Sequence, residues 1–414
     1  MSDPSELSVG IDGRISSVPG FPGSIKDEIS DFIVEEIPDP SITRSEDGKY
    51  GYLMIKLTDW DTNKFLSRLA KELHISRKRI TYAGTKDKRG ITVQYFCVNS
   101  RFSPDEIRIS DAEVLEYFRS DHFLKLGDLV GNRFTIRISS EGERENDIRE
   151  IYASIMRAGG FPNFFGMQRF GSMRRNTHKI GKYIVQGDYR KAVETYIYDP
   201  EFDTEDFRVR FGETHDAAEA LKDFPLRLTF ERSILGYIQE SGNFEGAFSA
   251  FPKNLGMLFV HAYQSYIFNR ILSERHKAMG DLNEAVPGDI AYAVDQYFNP
   301  VDREEIKVNR YNTDKINRLI GEDRLRLTIP LIGYESRMTD NFQGEIERKI
   351  MEEEKVLFPQ FRIGGYPELS SKGDRRIISA KPLDFEYTGD NTMKFSLGRG
   401  IYATSFLREF LKQD

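Results

Sequence analysis

Cysteine is all but absent. Of 414 residues only Cys97 carries a thiol, so an internal disulfide and a cysteine-based zinc site are excluded, and a small apolar residue in a strand is what it reads as. No apolar run approaches the roughly 20 residues that a membrane-spanning helix needs. The opening MSDPSELSVG has neither a basic region nor an apolar leader, which makes a cytoplasmic location the expectation. Histidine is scarce too. The six, at 74, 122, 178, 215, 261 and 276, show no metal-ligand spacing, and His261 falls in the most apolar helix, where a core role is expected. No glycine-rich phosphate loop follows a strand, since Gly398-Arg399-Gly400 lacks the rest of that pattern. A Gly-x-Ser-x-Gly elbow is also missing. No metal or nucleotide cofactor is therefore expected.

Positive charge is in short supply overall: 59 Lys and Arg stand against 66 Asp and Glu, a net charge of -7. That balance is wrong for a nucleic-acid binder, whose affinity rests on neutralising phosphates, but it is unevenly spread. Between Lys56 and Arg89 ten basic residues face four acids, and between Pro162 and Lys191 seven face Asp188 alone, a surplus of six in each segment. Either island alone could be a solvated helix face. What the chain does have is enough apolar content, 39%, to fill the cores of two or three domains.

Residues 1–23, rich in Ser, Pro and Gly, read as a flexible arm. Phe32–Glu36 and Gly51–Leu57 carry the alternation of strands and suggest a hairpin across the turn-rich segment between them. Thr62 suits the N-cap of a helix burying Phe65, Leu66, Leu69, Ala70 and Leu73. A short strand at Ile80–Ala83 and an alternating one at Ile91–Val98 flank a loop, 84–90. In Gly131–Ile138 the residues Phe134, Ile136 and Ile138 oppose Arg133, Thr135 and Arg137, as in a strand with one wet face. Asp147 and Glu150 resemble a capping box, and Gly159-Gly160 closes that helix. FVHAYQSYIFNRIL, 259–272, is apolar nearly all round and must be buried. Beyond Lys182 helical stretches alternate with turn signals up to Ser370, as in a second domain, and 394–413 reads as a strand, a Gly-Arg-Gly turn and a helix with Phe406, Leu407 and Phe410 inward.

Two segments carry chemistry. Gly84-Thr-Lys-Asp-Lys-Arg-Gly90 sets Asp87 among three cations, which favours its ionised form. Such a carboxylate suits a nucleophile or base and is ill suited to donate a proton; the same composition also makes an ordinary hairpin turn. Asn163-Phe-Phe-Gly-Met-Gln-Arg-Phe-Gly171 follows a helix end and combines three phenylalanines, an amide and Arg169. Exposed rings beside cations stack unpaired bases, whereas Phe164, Phe165 and Phe170 could equally plug a core.

Taken in order, the motifs resemble the TruD family of tRNA pseudouridine synthases. They are Lys26 in KDEISDFIVEE; Ala83-Gly-Thr-Lys-Asp87-Lys-Arg-Gly-Ile-Thr-Val-Gln94; Gly131-Asn-Arg-Phe134; Asn163 to Gly171; Ala262-Tyr-Gln-Ser-Tyr-Ile-Phe-Asn269; and Tyr402-Ala-Thr-Ser-Phe-Leu-Arg-Glu409. The longer motif forms look more archaeal or eukaryotic than bacterial. The resemblance implies an α+β fold: a pseudouridine-synthase core with a mixed, largely antiparallel sheet and flanking helices, spanning 24–181 and 371–414, plus a large inserted α/β domain at 182–370. It implies a cofactor-free isomerase that converts a uridine of tRNA, typically position 13, to pseudouridine in a basic cleft. Other RNAs stay open as substrates, neither a membrane nor a nucleotide cofactor is involved, and a monomer is expected. The family's catalytic aspartate falls on Asp87, its base-stacking aromatic on Phe165, its characteristic amide on Asn163 and its active-site basic residue on Lys26. Gln94 and Arg169 are supporting candidates for substrate binding. Gly90 stands where the family usually has alanine, and Phe164 where it has tyrosine. A non-catalytic RNA-binding protein on the same fold and a metal-dependent RNA hydrolase are the alternatives.

Overall fold

The computed structural model describes residues 3–412. The chain forms two compact units. One comprises Ile15–Phe161, Val294–Val301 and the segment from Ala380 on; the other comprises the segment up to Arg14, Pro162–Ala293 and Asp302–Ser379. The elements used below are, in chain order, β1 (Phe32–Pro38), β2 (Tyr50–Thr58), α1 (Thr62–Glu72), β3 (Ile80–Tyr82), β4 (Ile91–Val98), β5 (Ala112–Ser120), β6 (Leu129–Ser139), α2 (Glu145–Arg157), α3 (Thr177–Gln186), α4 (Lys253–Met279), β7 (Ile290–Ala293), β8 (Ile306–Lys307), β9 (Leu325–Leu331), α5 (Asn341–Glu354), β10 (Asp374–Ile377), β11 (Leu383–Gly389) and β12 (Thr392–Gly398).

The first unit is built on a mixed sheet of order β11-β12-β6-β1-β4-β2-β5, with β3 added to β4. Every pairing is antiparallel except β1 with β4, where Ile33 lies opposite Ile91. Alternation puts Leu53, Ile55 and Leu57 of β2 and Phe96 and Val98 of β4 on one face, where Phe65, Leu66 and Leu69 of α1 cover them. Each such side chain removed from water stabilises the unit by about 1.5–3 kcal/mol. On the other side of β1, Phe134 of β6 stacks on Phe395 of β12 at 5.4 Å. Phe406, Leu407 and Phe410 are buried.

Several expectations change. The first two strands are not a hairpin, because β4 lies between β1 and β2; alternation sets which face a residue takes and leaves strand partners open. Asp61, not Thr62, caps α1, its carboxylate accepting from the Lys64 N–H at 2.9 Å. Helix α2 begins at Glu145, ahead of the apparent capping box, so Asp147 sits inside its first turn. The described part of the N-terminal arm is packed. Val9 and Ile11 are buried in the second unit's core, and Phe21 is buried with its N–H donating to the Phe410 carbonyl at 2.8 Å. Three apolar residues suffice to anchor a segment whose overall composition reads as loose. The division between units falls at Pro162 and after Ser379 rather than at 181 and 371, and 294–301 returns to the first unit.

In the second unit, α4 is a 27-residue helix buried around its circumference, with α3 and α5 packed on it. An antiparallel sheet of order β8-β7-β9-β10 completes the unit. His261 on α4 is only half-buried. His178 on α3 is the deeply buried histidine: it stacks on Tyr266 at 4.6 Å and meets Phe170 edge-on, and burial lowers its pKa to about 3. The depressed value means that the unfolded chain takes up a proton near pH 6.5 that the folded one refuses until about pH 3. Stability present above pH 6.5 is therefore lost as pH falls, by about 1.4 kcal/mol per unit. Urea unfolding at pH 7 and pH 4.5 is expected to show a loss for wild type that is about 2 kcal/mol larger than for His178→Phe; equal losses would contradict the assignment.

Candidate functional site

The loop between β3 and β4 carries Asp87 and is held at both ends. Gly90 has φ of 143°, a conformation that disfavours any side chain, and a Cβ there would come within 2.6 Å of the Phe32 carbonyl oxygen. Glycine in place of the family's usual alanine thus matches the local backbone. At the other end the Lys86 N–H donates to Thr62 Oγ1 at 3.1 Å. The residue expected as a helix cap instead ties the loop to α1.

The Asp87 side chain points outward, 49% exposed, and Lys26, whose side chain is 13% exposed, donates from Nζ to its Oδ2 at 2.6 Å. The ammonium also sits 4.0 Å from the Phe32 ring centroid, a cation–π contact that helps fix it. Lys26 adopts φ of 66°. A left-handed lysine costs about 1 kcal/mol, and the ion pair and ring contact offset that strain. Lys86 turns the opposite way and pairs with Glu36 Oε2 of β1 at 2.8 Å. Burial pushes the Glu36 carboxyl up from its ordinary value, and the Lys86 charge pulls it back. Gln94 is buried in the sheet, with Nε2 donating to Thr92 Oγ1 at 3.2 Å. Gln94, expected to help bind substrate, thus lies inside the sheet next to the loop.

In the second unit Asn163, Phe165 and Arg169 are brought together by residues the sequence reading missed. Asn163 Nδ2 donates to the Ile377 carbonyl at 3.0 Å, and its Oδ1 accepts from Arg376 Nη2 at 2.6 Å. The Arg376 guanidinium carbon lies 4.2 Å from the Phe165 ring centroid, that of Arg169 5.9 Å. Phe268 meets the ring edge-on at 5.4 Å. Asn269 of α4 clasps the Phe165 backbone, accepting from its N–H at 2.9 Å and donating to its carbonyl at 3.0 Å. Phe164 and Phe170 are core residues and Phe165 itself is 6% exposed, so of the three rings two plug the core and the third shows only a sliver to solvent. Asn269 stands in one of the recognised motifs without an assigned role; Arg376 lies in none.

The basic islands survive unequally. Of the seven cations in the second, five pair with carboxylates: Arg174 with Asp203, Lys179 with Asp199 and Glu201, Lys182 with Glu354, Arg190 with Glu194 and Lys191 with Asp188. Local carboxylates thus neutralise most of that island, which charge counting along 162–191 could not foresee. In the first, Lys64 and Lys71 on the outer face of α1, with Lys78 and Arg79, are exposed, and none of the four has an ion-pair partner among the described residues. Among the described residues no cluster of His, Cys, Asp and Glu could hold a metal, and no helix is long and apolar enough to cross a membrane.

A mixed α+β sheet protein with an outward carboxylate clamped by lysine on a basic, glycine-bounded loop is the class these observations define. The family model described as tRNA pseudouridine synthase D (TruD) matches residues 8–410. A relative from Picrophilus torridus, named a probable tRNA pseudouridine synthase D, is 51% identical over 98% of each chain. One of the same name from Methanosarcina acetivorans is 40% identical over 99% of this chain and 97% of its own. A crystal structure from Methanosarcina mazei, described with the name tRNA pseudouridine synthase D (TruD), superposes with a TM-score of 0.83 at 36% identity, covering 100% of this chain and 99% of that one. The chain belongs to the tRNA pseudouridine synthase D family, and so to the isomerases that make pseudouridine.

Proposed function

We propose that the protein converts uridine 13 of tRNA to pseudouridine, with Asp87 as the reacting carboxylate. The observation that carries this reading is the half-exposed Asp87 side chain held by Lys26 at 2.6 Å on a loop fixed at both ends. Breaking C1'–N1, turning the uracil and joining C5 to C1' needs a placed carboxylate and an extruded base, the extrusion costing a few kcal/mol. Asp87 attacks C1' or C6, or takes the C2' proton; Lys26 orients it. Phe165 and Arg376 act as one stacking unit, since a ring and a guanidinium plane both accept a base face. Asn163 and Arg169 hold that unit in place, and the free cations of α1 meet backbone phosphates. Gln94 supports the sheet beneath the loop.

Sequencing tRNA from a deletion strain tests the substrate assignment: pseudouridine at position 13 should vanish and return on complementation. Its persistence at 13 would refute that assignment. Phe165→Ala is expected to lower turnover by about 5–150-fold, matching the 1–3 kcal/mol that stacking one base contributes, as read from single-turnover conversion. An unchanged rate at both limiting and saturating RNA would remove the stacking role.

A further inference from the structure

Lys86 and Asp87 are neighbours in sequence and carry opposite charges into two separate ion pairs. Asp87 meets Lys26 at the surface. Lys86 is drawn inward: its side chain is 7% exposed and that of its partner Glu36 is 1% exposed. The ammonium lies so close to the loop's own backbone that a Cβ on Gly84 would stand 3.4 Å from Nζ. Glu36 belongs to β1, where it lies opposite Asn132 of β6, one residue past the Glu35–Val93 pair that ends the parallel register of β1 with β4. Besides Lys86, the Glu36 carboxylate is held by a backbone hydrogen bond from Tyr95, and among the described residues Gln94 Oε1 and Asn132 Oδ1 are buried acceptors without a hydrogen-bond partner. The sheet therefore gives the Lys86 ammonium a buried carboxylate partner, Glu36, reached from the loop that presents the reacting carboxylate.

A buried charge stripped of its partner is strongly unfavourable, and it seeks either another counter-ion or water. For Lys86, the carboxylate next to it in the chain is Asp87. A second ammonium on Asp87 would compete for the lone pairs that the reaction uses and would lower its reactivity as nucleophile or base.

We propose that Glu36 is a positioning residue that withholds the Lys86 ammonium from Asp87, so that the reacting carboxylate is paired with Lys26 alone. The proposal rests on Asp87 being the reacting group. Glu36→Gln keeps the shape and an acceptor but cannot balance the charge; Lys86→Met removes the cation that has to be held.

The test compares wild type, Asp87→Asn, Glu36→Gln and Glu36→Gln/Lys86→Met as full chains, reading the single-turnover rate constant at saturating tRNA, the RNA dissociation constant and Tm. Glu36→Gln is expected to slow the rate constant by about 30-fold or more while the RNA dissociation constant stays within about twofold. The double variant is expected to recover at least about tenfold over Glu36→Gln, because no stray cation is left. A wild-type rate in Glu36→Gln, or a double variant as slow as or slower than Glu36→Gln, overturns the proposal. If Glu36→Gln does not fold, the double variant decides alone: a rate within about 30-fold of wild type supports the proposal and a larger loss at unchanged Tm overturns it. An active Asp87→Asn would refute the reading of Asp87 and this proposal with it. A dead Asp87→Asn beside a fully active Glu36→Gln refutes only the role of Glu36.

Discussion

An Asp87→Asn protein is expected to fold and hold RNA as wild type does, yet to convert uridine at least about 10³-fold more slowly. The fold should tolerate the change because the side chain is half-exposed and its pair with Lys26 is a near-surface ion pair, worth about 0–1 kcal/mol. The loop keeps its other anchors, the Thr62 hydroxyl on the Lys86 N–H and the close approach of Gly90 to Phe32. What the amide cannot supply is the negative oxygen, which every route open to Asp87 requires. Single-turnover conversion, a binding isotherm and a melting curve together check the prediction. A fall in Tm and affinity with the rate constant intact would make Asp87 structural.

The largest expected stability effect lies elsewhere, at Arg275 of α4. Its guanidinium is fully buried and grips Asp289 through two bonds, Nη1 to Oδ1 at 2.7 Å and Nη2 to Oδ2 at 2.8 Å. Nη1 also donates to Gln343 Oε1 of α5 at 2.8 Å, and Nη2 to the Glu284 carbonyl at 3.1 Å. Arg275→Met removes the cation and leaves the buried Asp289 carboxylate facing an apolar chain, which should cost about 3–5 kcal/mol. Urea unfolding followed by far-ultraviolet circular dichroism measures it. Arg275→Met combined with Asp289→Leu should recover much of the loss, because replacing both partners of a buried pair by apolar groups is often neutral. A single variant that loses under 1 kcal/mol would show that the pair is not sealed from water.

The strands and helices on either side of Asp87 were legible because period-two and helical spacings are local: α1 buries the expected face, and 84–90 is the loop between β3 and β4. Partners were not. Arg376 reaches Asn163 across 213 positions and Asn269 reaches Phe165 across 104, and neither pairing leaves a local pattern. Phe165 shows a related gap. Its segment advertised aromatic surface, but only the packing of Phe268 and Arg376 decides how little of that ring meets solvent. Charge counting located a basic island at 162–191 and, beyond Asp188, missed the carboxylates of 194–203 and 354 that absorb most of the rest. Nor does composition mark where the chain leaves a unit and returns to it for 294–301.

Making pseudouridine replaces the C5–H bond of uridine by a C5–C1' bond, so tRNA transcribed with tritium at uridine C5 reports the reaction atom by atom. Wild type incubated in chelator should release one tritium per uridine converted from intact RNA, and Asp87→Asn should release none. Release at the wild-type rate by Asp87→Asn, or chelator-sensitive strand cleavage in place of release, would contradict the account.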